Sequence, residues 1–218
     1  MINSSGGMTG GDDLSWQFDL ADDTRLTATT QACERVYASI GGTAQTSIKL
    51  TLGSNSSMAW LPQETILFNQ GSFTRRLEVD MAGDAELLLV EPVIFGRTAM
   101  NESVLEGEFK DRWRISREGR LIHAEDTRIC GDVENLLKSA FTANGQIALA
   151  NILLAGPRAE ALCEPTRRLI CDSDAVSYWQ DKLLVRLMAV DGYALRRKLI
   201  PLINLLNDQT PIPKIWTL

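Results

Sequence analysis

The residues best suited to chemistry in this 218-residue chain are acids beside glycines or strand breaks, a single histidine and four cysteines. The densest glycine cluster is Ser4-Ser-Gly-Gly-Met-Thr-Gly-Gly-Asp-Asp13, in which Gly6 and Gly11 match the outer spacing of a phosphate loop. Where that motif needs Lys and Ser/Thr to hold phosphate and magnesium, this chain has Asp12 and Asp13, which repel phosphate. Two adjacent carboxylates could meet a hard cation instead. On an extended chain, however, neighbours face opposite ways, and the D-x-[DN]-x-[DN]-G pattern of an EF-hand is absent. Asp at a turn or helix start is the plainer reading.

His123 is the only histidine, so no His–His metal site can form within one chain; it reads as a half-buried strand residue. Cys33, Cys130, Cys163 and Cys171 show no C-x-x-C pair and no zinc spacing, which suits buried thiols in a reducing cytosol. A nucleophilic Cys–His pair would need Cys33 or Cys130 beside His123, and no spacing provides it. Two further acids stand where an apolar strand meets a proline: Glu64 in Trp60-Leu-Pro62-Gln63-Glu64, and Glu91 before Pro92. Proline removes a ladder donor, so such a carboxylate points either into an internal cavity or outward as an edge-protecting charge. The sequence leaves both open. In Phe95-Gly96-Arg97, the arginine can pair with Glu102 to fix a crossover between units. No nucleophile with its base, and no convergent pair of acids, can be named from spacing alone.

The elements that must position these residues follow from a repeat. Four polar turns, each held between apolar residues six apart, start at Leu20, Leu52, Met81 and Ile115. Alternating stretches such as Ile48-Lys-Leu50-Thr-Leu52 and Leu77-Glu-Val79-Asp-Met81 lead into them, so each unit reads as a β-hairpin with one buried face. A hairpin cannot bury its own apolar face, so units recurring at about 30 residues should stack and share a core. The fold class expected is therefore mainly β, with stacked, solenoid-like units over residues 1–130 and a mixed α/β part over 131–218 of one domain. An ordinary sandwich with evenly spaced hairpins is the alternative.

In the C-terminal third, residues 133–141 have helical spacing, Gln146–Ala155 reads as a strand, and Ala175–Val190 as another long one. Leu195, Leu199, Leu202, Ile203 and Leu206 form one stripe of an amphipathic helix capped by Asp191, which Pro201 should kink or break. The short Pro-rich tail ending at Trp216 must dock to be ordered.

With 22 basic and 28 acidic residues, the formal charge of −6 offers no global field for a phosphate backbone, so nucleic acid is not an expected partner. Arg75-Arg76, Arg167-Arg168 and Arg196-Arg197-Lys198 read as solvated faces, with a local dock for an acidic partner left open. No apolar run approaches the roughly 20 residues that span a bilayer, and the N-terminus lacks a signal-peptide pattern; a cytoplasmic protein with no membrane partner is expected.

An ordered set of motifs now becomes recognisable. Asn3-Ser-Ser-Gly-Gly-Met-Thr-Gly10-Gly11-Asp12, Thr29-Thr-Gln31-Ala32 with Val36-Tyr37, and Trp60-Leu-Pro62-Gln63-Glu64-Thr-Ile66 with Phe68 come first. Glu91, Phe95-Gly96-Arg97 with Ala99 and Glu102, Leu183–Arg186 and Pro213-Lys214-Ile-Trp216 follow. In this order the chain resembles, along its whole length, the UreD (UreH) urease accessory proteins. It departs in beginning almost inside the Gly-Gly-Asp motif, where the family normally carries further strand-forming residues, and in having Lys214 for the usual arginine, which keeps charge but loses the planar fork.

The resemblance implies a non-enzymatic maturation factor, mainly β with helices, that binds apo-urease and a UreF-type protein, which recruits the UreG GTPase. Nickel is its cargo, not a permanent cofactor, and is expected to travel through its interior. Asp12, Glu64 and Glu91 are the candidates to line that route, since oxygen ligands hold Ni²⁺ loosely beside Cys or His sets. Gly10, Gly11, Gln31, Tyr37, Pro62, Gln63, Gly96, Arg97 and Glu102 are motif residues with structural roles. Arg196, Arg197, Lys214 and Trp216 are expected on the UreF-facing side. Two rival functions remain at this level: a solenoid hydrolase using Asp12 and Asp13 with another acid, which would need carboxyls about 5–9.5 Å apart, and an interaction scaffold with no metal traffic.

Overall fold

The computed structural model describes residues 1–97, 100, 102–208 and 210–217; Ala99 of the motif set lies outside them. The chain runs through β1 (Asp13–Leu20), β2 (Arg25–Ala28), β3 (Glu34–Val36), β4 (Ala44–Leu52), β5 (Ser57–Trp60), β6 (Thr65–Leu67), β7 (Ser72–Met81) and β8 (Glu86–Phe95). It continues through β9 (Glu106–Arg117), β10 (Arg120–Asp132), α1 (Val133–Lys138), β11 (Ala148–Ala155), α2 (Ala159–Arg167), β12 (Ala175–Trp179), β13 (Lys182–Ala189) and α3 (Gly192–Leu206).

Period-two alternation makes the strands, and one sheet holds β1-β4-β7-β9-β10 while the other holds β12-β13-β11-β8-β5-β2, with β3 and β6 pairing beside β8. The expected solenoid is present, but its first three turns do not close hairpins. Each carries the chain from one sheet to the other: β1 to β2, β4 to β5, β7 to β8. The strands on either side pair with the next coil in parallel, Leu20 with Leu52 and Leu52 with Met81. A polar turn between two apolar residues serves an arch as well as a hairpin; burial of both apolar faces against each other selects the arch.

The turns also bond to one another. Asp22 Oδ1 accepts from Ser54 N at 2.8 Å, Asp84 Oδ1 from Asn55 N at 2.9 Å, and Glu118 Oε1 from Gly83 N at 2.6 Å. Only the fourth turn closes an antiparallel hairpin, β9–β10, through Glu118 and Gly119 with φ of 51° and 71°, the signs a two-residue type I′ turn requires. Met81 accordingly pairs with Arg117, two residues beyond the position the gapless repeat assigns.

The long strand expected over 175–190 is two, β12 and β13, hinged at Gln180 and Asp181, both of positive φ. Helix α2 is not among the expected elements, although Ala159, Cys163 and Thr166 recur at helical spacing on its buried face. Asp191 Oδ1 caps α3 by accepting from Ala194 N at 2.7 Å, and α3 continues through Pro201 without ending there. Its apolar stripe, with Trp216, packs on the outer face of the larger sheet. Between the sheets lie two more apolar clusters, one near the arches around Trp60, Leu77 and Trp113, the other at the opposite end around Phe73, Phe95 and Phe109. Of the four thiols expected to be buried, only Cys163 is; Cys33 and Cys130 are half-buried and Cys171 exposed. Among the described residues no helix is long and apolar enough to cross a membrane.

Candidate functional site

What separates the two apolar clusters is one polar layer. Inward positions alternate along a strand, and in several strands the middle one of three is polar: Ala44-Thr46-Ile48, Phe73-Arg75-Leu77, Leu89-Glu91-Val93, Phe109-Asp111-Trp113 and Leu149-Asn151-Leu153. Strand register sets these residues in two facing rows. Thr46 pairs with Arg75 and Arg75 with Asp111 in one sheet; Glu91 pairs with Asn151 and Asn151 with Arg186 in the other.

Arg75 joins the rows. Its Nε and Nη2 donate to Asp111 Oδ1 and Oδ2 at 3.0 and 2.6 Å, and its Nη1 to Glu91 Oε2. Each acid also receives an indole N–H: Trp60 Nε1 to Glu91 Oε1 at 2.8 Å, and Trp113 Nε1 to Asp111 Oδ1 at 3.1 Å. All three charged residues are about 3% exposed. Burial opposes the charge on Arg75, but the two carboxylates outweigh it and raise its pKa. Burial pushes the Glu91 carboxyl up, to about 7, against the pull of Arg75. Two acids and one guanidinium leave the cluster at most one negative charge.

Three cavities lie in series along this seam. One of about 150 Å³ is bounded by Gly6, Gly7, Cys33, Trp16, Thr30 and Glu34. It shares Trp16, Thr30 and Glu34 with a second of about 40 Å³, which reaches Arg75 and Glu91. On the far side of that pair, a third of about 200 Å³ is lined by Arg75, Glu91, Asp111, Thr127, Asn151 and Arg186. Glu34, at the shared mouth, accepts from Asn3 Nδ2 at 3.0 and 3.1 Å, and burial raises its pKa.

Of the three acids expected on an interior route, Glu91 stands in the seam, Glu64 is buried beside it, and Asp12 is outside. Asp12 is exposed and closes the glycine turn, its Oδ2 accepting from Thr9 N at 2.8 Å. The backbone here already joins the ladder, with Gly11 N donating to Thr43 O and Asp12 O accepting from Gln45 N, while the carboxylate turns back onto the glycine loop. Glu64 is 2% exposed and gripped by Arg196, and Cys33 Sγ donates to its Oε2 at 3.2 Å. Burial first, then Glu64, pushes the Cys33 thiol up to about 12, which removes it as a nucleophile. The segment Leu61–Glu64 does break the pairing between β5 and β6, but Glu91-Pro92 stays inside β8, where Pro92 pairs with Ala150. A strand proline is tolerated there because the neighbouring strand is interrupted.

The motif residues hold this frame. A Cβ on Gly10 would lie 2.0 Å from Ser39 Oγ and 2.2 Å from Gly41 O, and one on Gly96, at φ +89°, would lie 2.3 Å from Glu102 O; Gly11 has φ +93°. Gln31 N donates to Met1 O, and the Tyr37 ring packs edge-on against Phe68 at 5.1 Å. Pro62 is buried, and Gln63 Oε1 accepts from Arg196 Nη2 at 2.6 Å. Arg97 and Glu102 are ion-paired and joined by two backbone bonds, with the guanidinium 4.2 Å above the Phe68 ring.

Arg196 and Trp216, expected on a partner-facing side, face inward. Trp216 is fully buried, its Nε1 donating to Leu61 O at 3.1 Å, with the Arg196 guanidinium 5.3 Å from its ring. The stripe that buries α3 also carries Arg196 toward Glu64, whereas Arg197 and Lys214 are exposed. His123 is 7% exposed between the Trp113 and Trp179 rings, and burial, then Lys182 and Arg186, lowers its pKa to about 4.

Arg75, Asp111 and Glu34 escaped the sequence reading. The available signal was phase: Arg75 and Asp111 occupy the inward position of strands whose other buried inward residues are Phe73, Leu77, Val79, Met81, Phe109, Trp113 and Ile115.

Fold and site together define the class: a β-solenoid backed by helices and built around a buried charged seam. Residues 1–217 match the model of the UreD urease accessory protein family. The chain is 46% identical over 222 residues to the urease accessory protein UreD of Mesorhizobium japonicum, covering 100% of this chain and 79% of that protein. It is 46% identical over 218 residues to that of Agrobacterium fabrum, covering 100% and 77%. With urease accessory protein UreD 1 of Brucella abortus it shares 45% over 222 residues, covering 100% and 79%. The chain belongs to the UreD family of urease accessory proteins. It is a non-catalytic chaperone of urease maturation, which sets aside the hydrolase reading; Asp12 and Asp13 are both exposed at the start of β1.

Proposed function

We propose that the seam between the sheets is the passage by which Ni²⁺ crosses the protein in the cytoplasm, on its way from a UreF-type partner with its UreG-type GTPase to apo-urease. The observation that supports it is the series of three cavities, the first sharing Trp16, Thr30 and Glu34 with the second, and the second sharing Arg75 and Glu91 with the third. Glu34, Glu91 and Asp111 offer oxygen ligands along the way, and among the described residues no three His, Cys, Asp or Glu side chains cluster as a metal-holding site. Carboxylates without His or Cys hold Ni²⁺ weakly, and Arg75 offsets the charge of one of the two acids it binds, Glu91 and Asp111. Such a seam transfers a cation and does not store it. Arg197 and Lys214, outward on α3 and the tail, belong in this reading to the face that meets the UreF-type protein.

A metal-free scaffold is the second reading, favoured by the arginine already bonded to each buried acid. Co-expression of Glu91→Gln or Asp111→Asn with urease and its accessory proteins separates them. The passage requires several-fold less nickel per purified urease, with the accessory complex still co-purifying. Unchanged nickel content leaves the scaffold.

A further inference from the structure

The outer face of the smaller sheet carries a charge pattern that the seam does not use. Helices α2 and α3 pack on the outer face of the larger sheet, whereas the outward residues of β4, β7, β9 and β10 are exposed or half-exposed. Strand register sets Lys110 beside Arg128, Arg112 between Arg76 and Asp126, and Glu78 between Lys49 and Arg114. Six cations thus share this patch with two acids, in a chain whose formal charge is −6.

Like charges directly opposite on adjacent strands destabilise a sheet, and this face has two such pairs, Arg76 with Arg112 and Lys110 with Arg128. Nearby acids do not balance them. Asp126 is divided between Arg112 at 3.3 Å and Arg114 at 2.5 Å, and Glu108, just beyond the patch, takes Lys110 at 2.5 Å. Arg76 Nη1 donates to the Gln45 amide oxygen at 3.1 Å and Arg128 Nε to Cys130 Sγ at 3.3 Å, so among the described residues neither arginine is bonded to a carboxylate. Folding gains nothing from this arrangement; an acidic surface laid over it does.

The rim of the patch specifies the partner. Exposed acids bound it along the strands, Asp80 toward the arches and Glu106 with Asp132 at the opposite end. A nucleic acid running past the cations would meet those acids, whereas a compact acidic protein surface fits the four strands, about 15 Å across. The position matters too. In edge strand β10, Asp126 and Arg128 face outward while Thr127 between them lines the third cavity, which reaches the surface at the half-exposed Arg186. We propose that this face, centred on Arg76, Arg112 and Arg128, docks an acidic protein surface; resting on the passage reading above, the same contact sets that partner beside the mouth at Arg186.

Biolayer interferometry of the full chain against purified apo-urease, and separately against the UreF-type protein, tests this. Reversing two charges, Arg112→Glu with Arg128→Glu, should weaken one of these complexes at least tenfold, and the wild-type complex should lose affinity between 100 and 300 mM sodium chloride more steeply than the variant's, by roughly the screening expected of exposed charges. Arg76→Gln, which breaks no ion pair, should weaken the same complex about threefold. The same reversal on α2, Arg167→Glu with Arg168→Glu, should leave both complexes unchanged. Far-UV circular dichroism confirms that each variant is folded. Wild-type affinity for both proteins in the folded patch variants, an equal loss in the α2 control, or binding of a DNA duplex that the patch variant abolishes would overturn the assignment. Nickel per urease after Glu91→Gln reports on the buried passage alone, so either reading can fail without the other.

Discussion

Arg196 on α3 and Glu64 in the break between β5 and β6 form a two-bonded ion pair, Nε to Oε1 at 3.0 Å and Nη2 to Oε2 at 2.7 Å. The pair ties the helical layer to the one place where the solenoid's strands are interrupted, and the same guanidinium reaches Gln63.

Arg196→Ala should therefore destabilise the protein by about 3 kcal/mol, because it leaves a buried carboxylate unpaired. Arg196→Lys should recover less than half of that, since one ammonium cannot replace the fork that serves Glu64 and Gln63 together. Urea unfolding midpoints of the two variants check both values.

The charge count in the seam predicts unequal effects of its two acids. Glu91→Gln leaves Arg75 balanced by Asp111 and should change stability at pH 8 by no more than about 1 kcal/mol. Arg75→Met leaves two buried acids without their cation and should cost about 3–5 kcal/mol. Calorimetry that found Glu91→Gln the more damaging would contradict the geometry.

Glu91 also sets a pH dependence. Its pKa is raised to about 7 in the fold, so above the unfolded value near 4.3 the native state binds more proton than the unfolded chain. Stability from this group is complete below the unfolded pKa and is lost as pH rises through 7. Between about pH 5 and 7.5 this group should lower the stability of the wild type as pH rises, and Glu91→Gln should remove that contribution to the slope in urea titrations at fixed salt.

His123 acts in the opposite sense at lower pH. Its pKa falls to about 4, so its contribution is complete above the unfolded value near 6.5 and is lost as pH falls toward 4. As the only histidine, it gives an unambiguous imidazole resonance in proton NMR. That resonance should titrate well below pH 6; a midpoint near 6.5 would show an exposed ring.

Gly10 and Gly41 provide a matched pair. A Cβ on Gly10 meets Ser39 Oγ and Gly41 O well inside contact distance, while one on Gly41 meets nothing within 4 Å. Gly10→Ala should cost about 1–3 kcal/mol and Gly41→Ala less than about 0.5 kcal/mol. Thermal unfolding of both reads the difference.

The sequence by itself determined the strand alternation, the recurrence near 30 residues, the polar turns, the capped α3 stripe and the motif order that marks the family, because each is a local pattern or a simple spacing. Tertiary structure decided where those patterns point. The same turn residues close a hairpin after β9 and an arch after β7, since the choice depends on which distant strand supplies the pairing edge. Arg75-Arg76 reads as a charged surface pair until β7 is placed between β4 and β9; then one arginine faces water and the other faces Glu91 across the gap. Trp216 and Arg196 turn inward, and Asp12 outward, for the same reason. A side chain's environment is set by the elements packed against it, and those lie 16 residues away for Glu91 and Arg75 and 132 for Glu64 and Arg196.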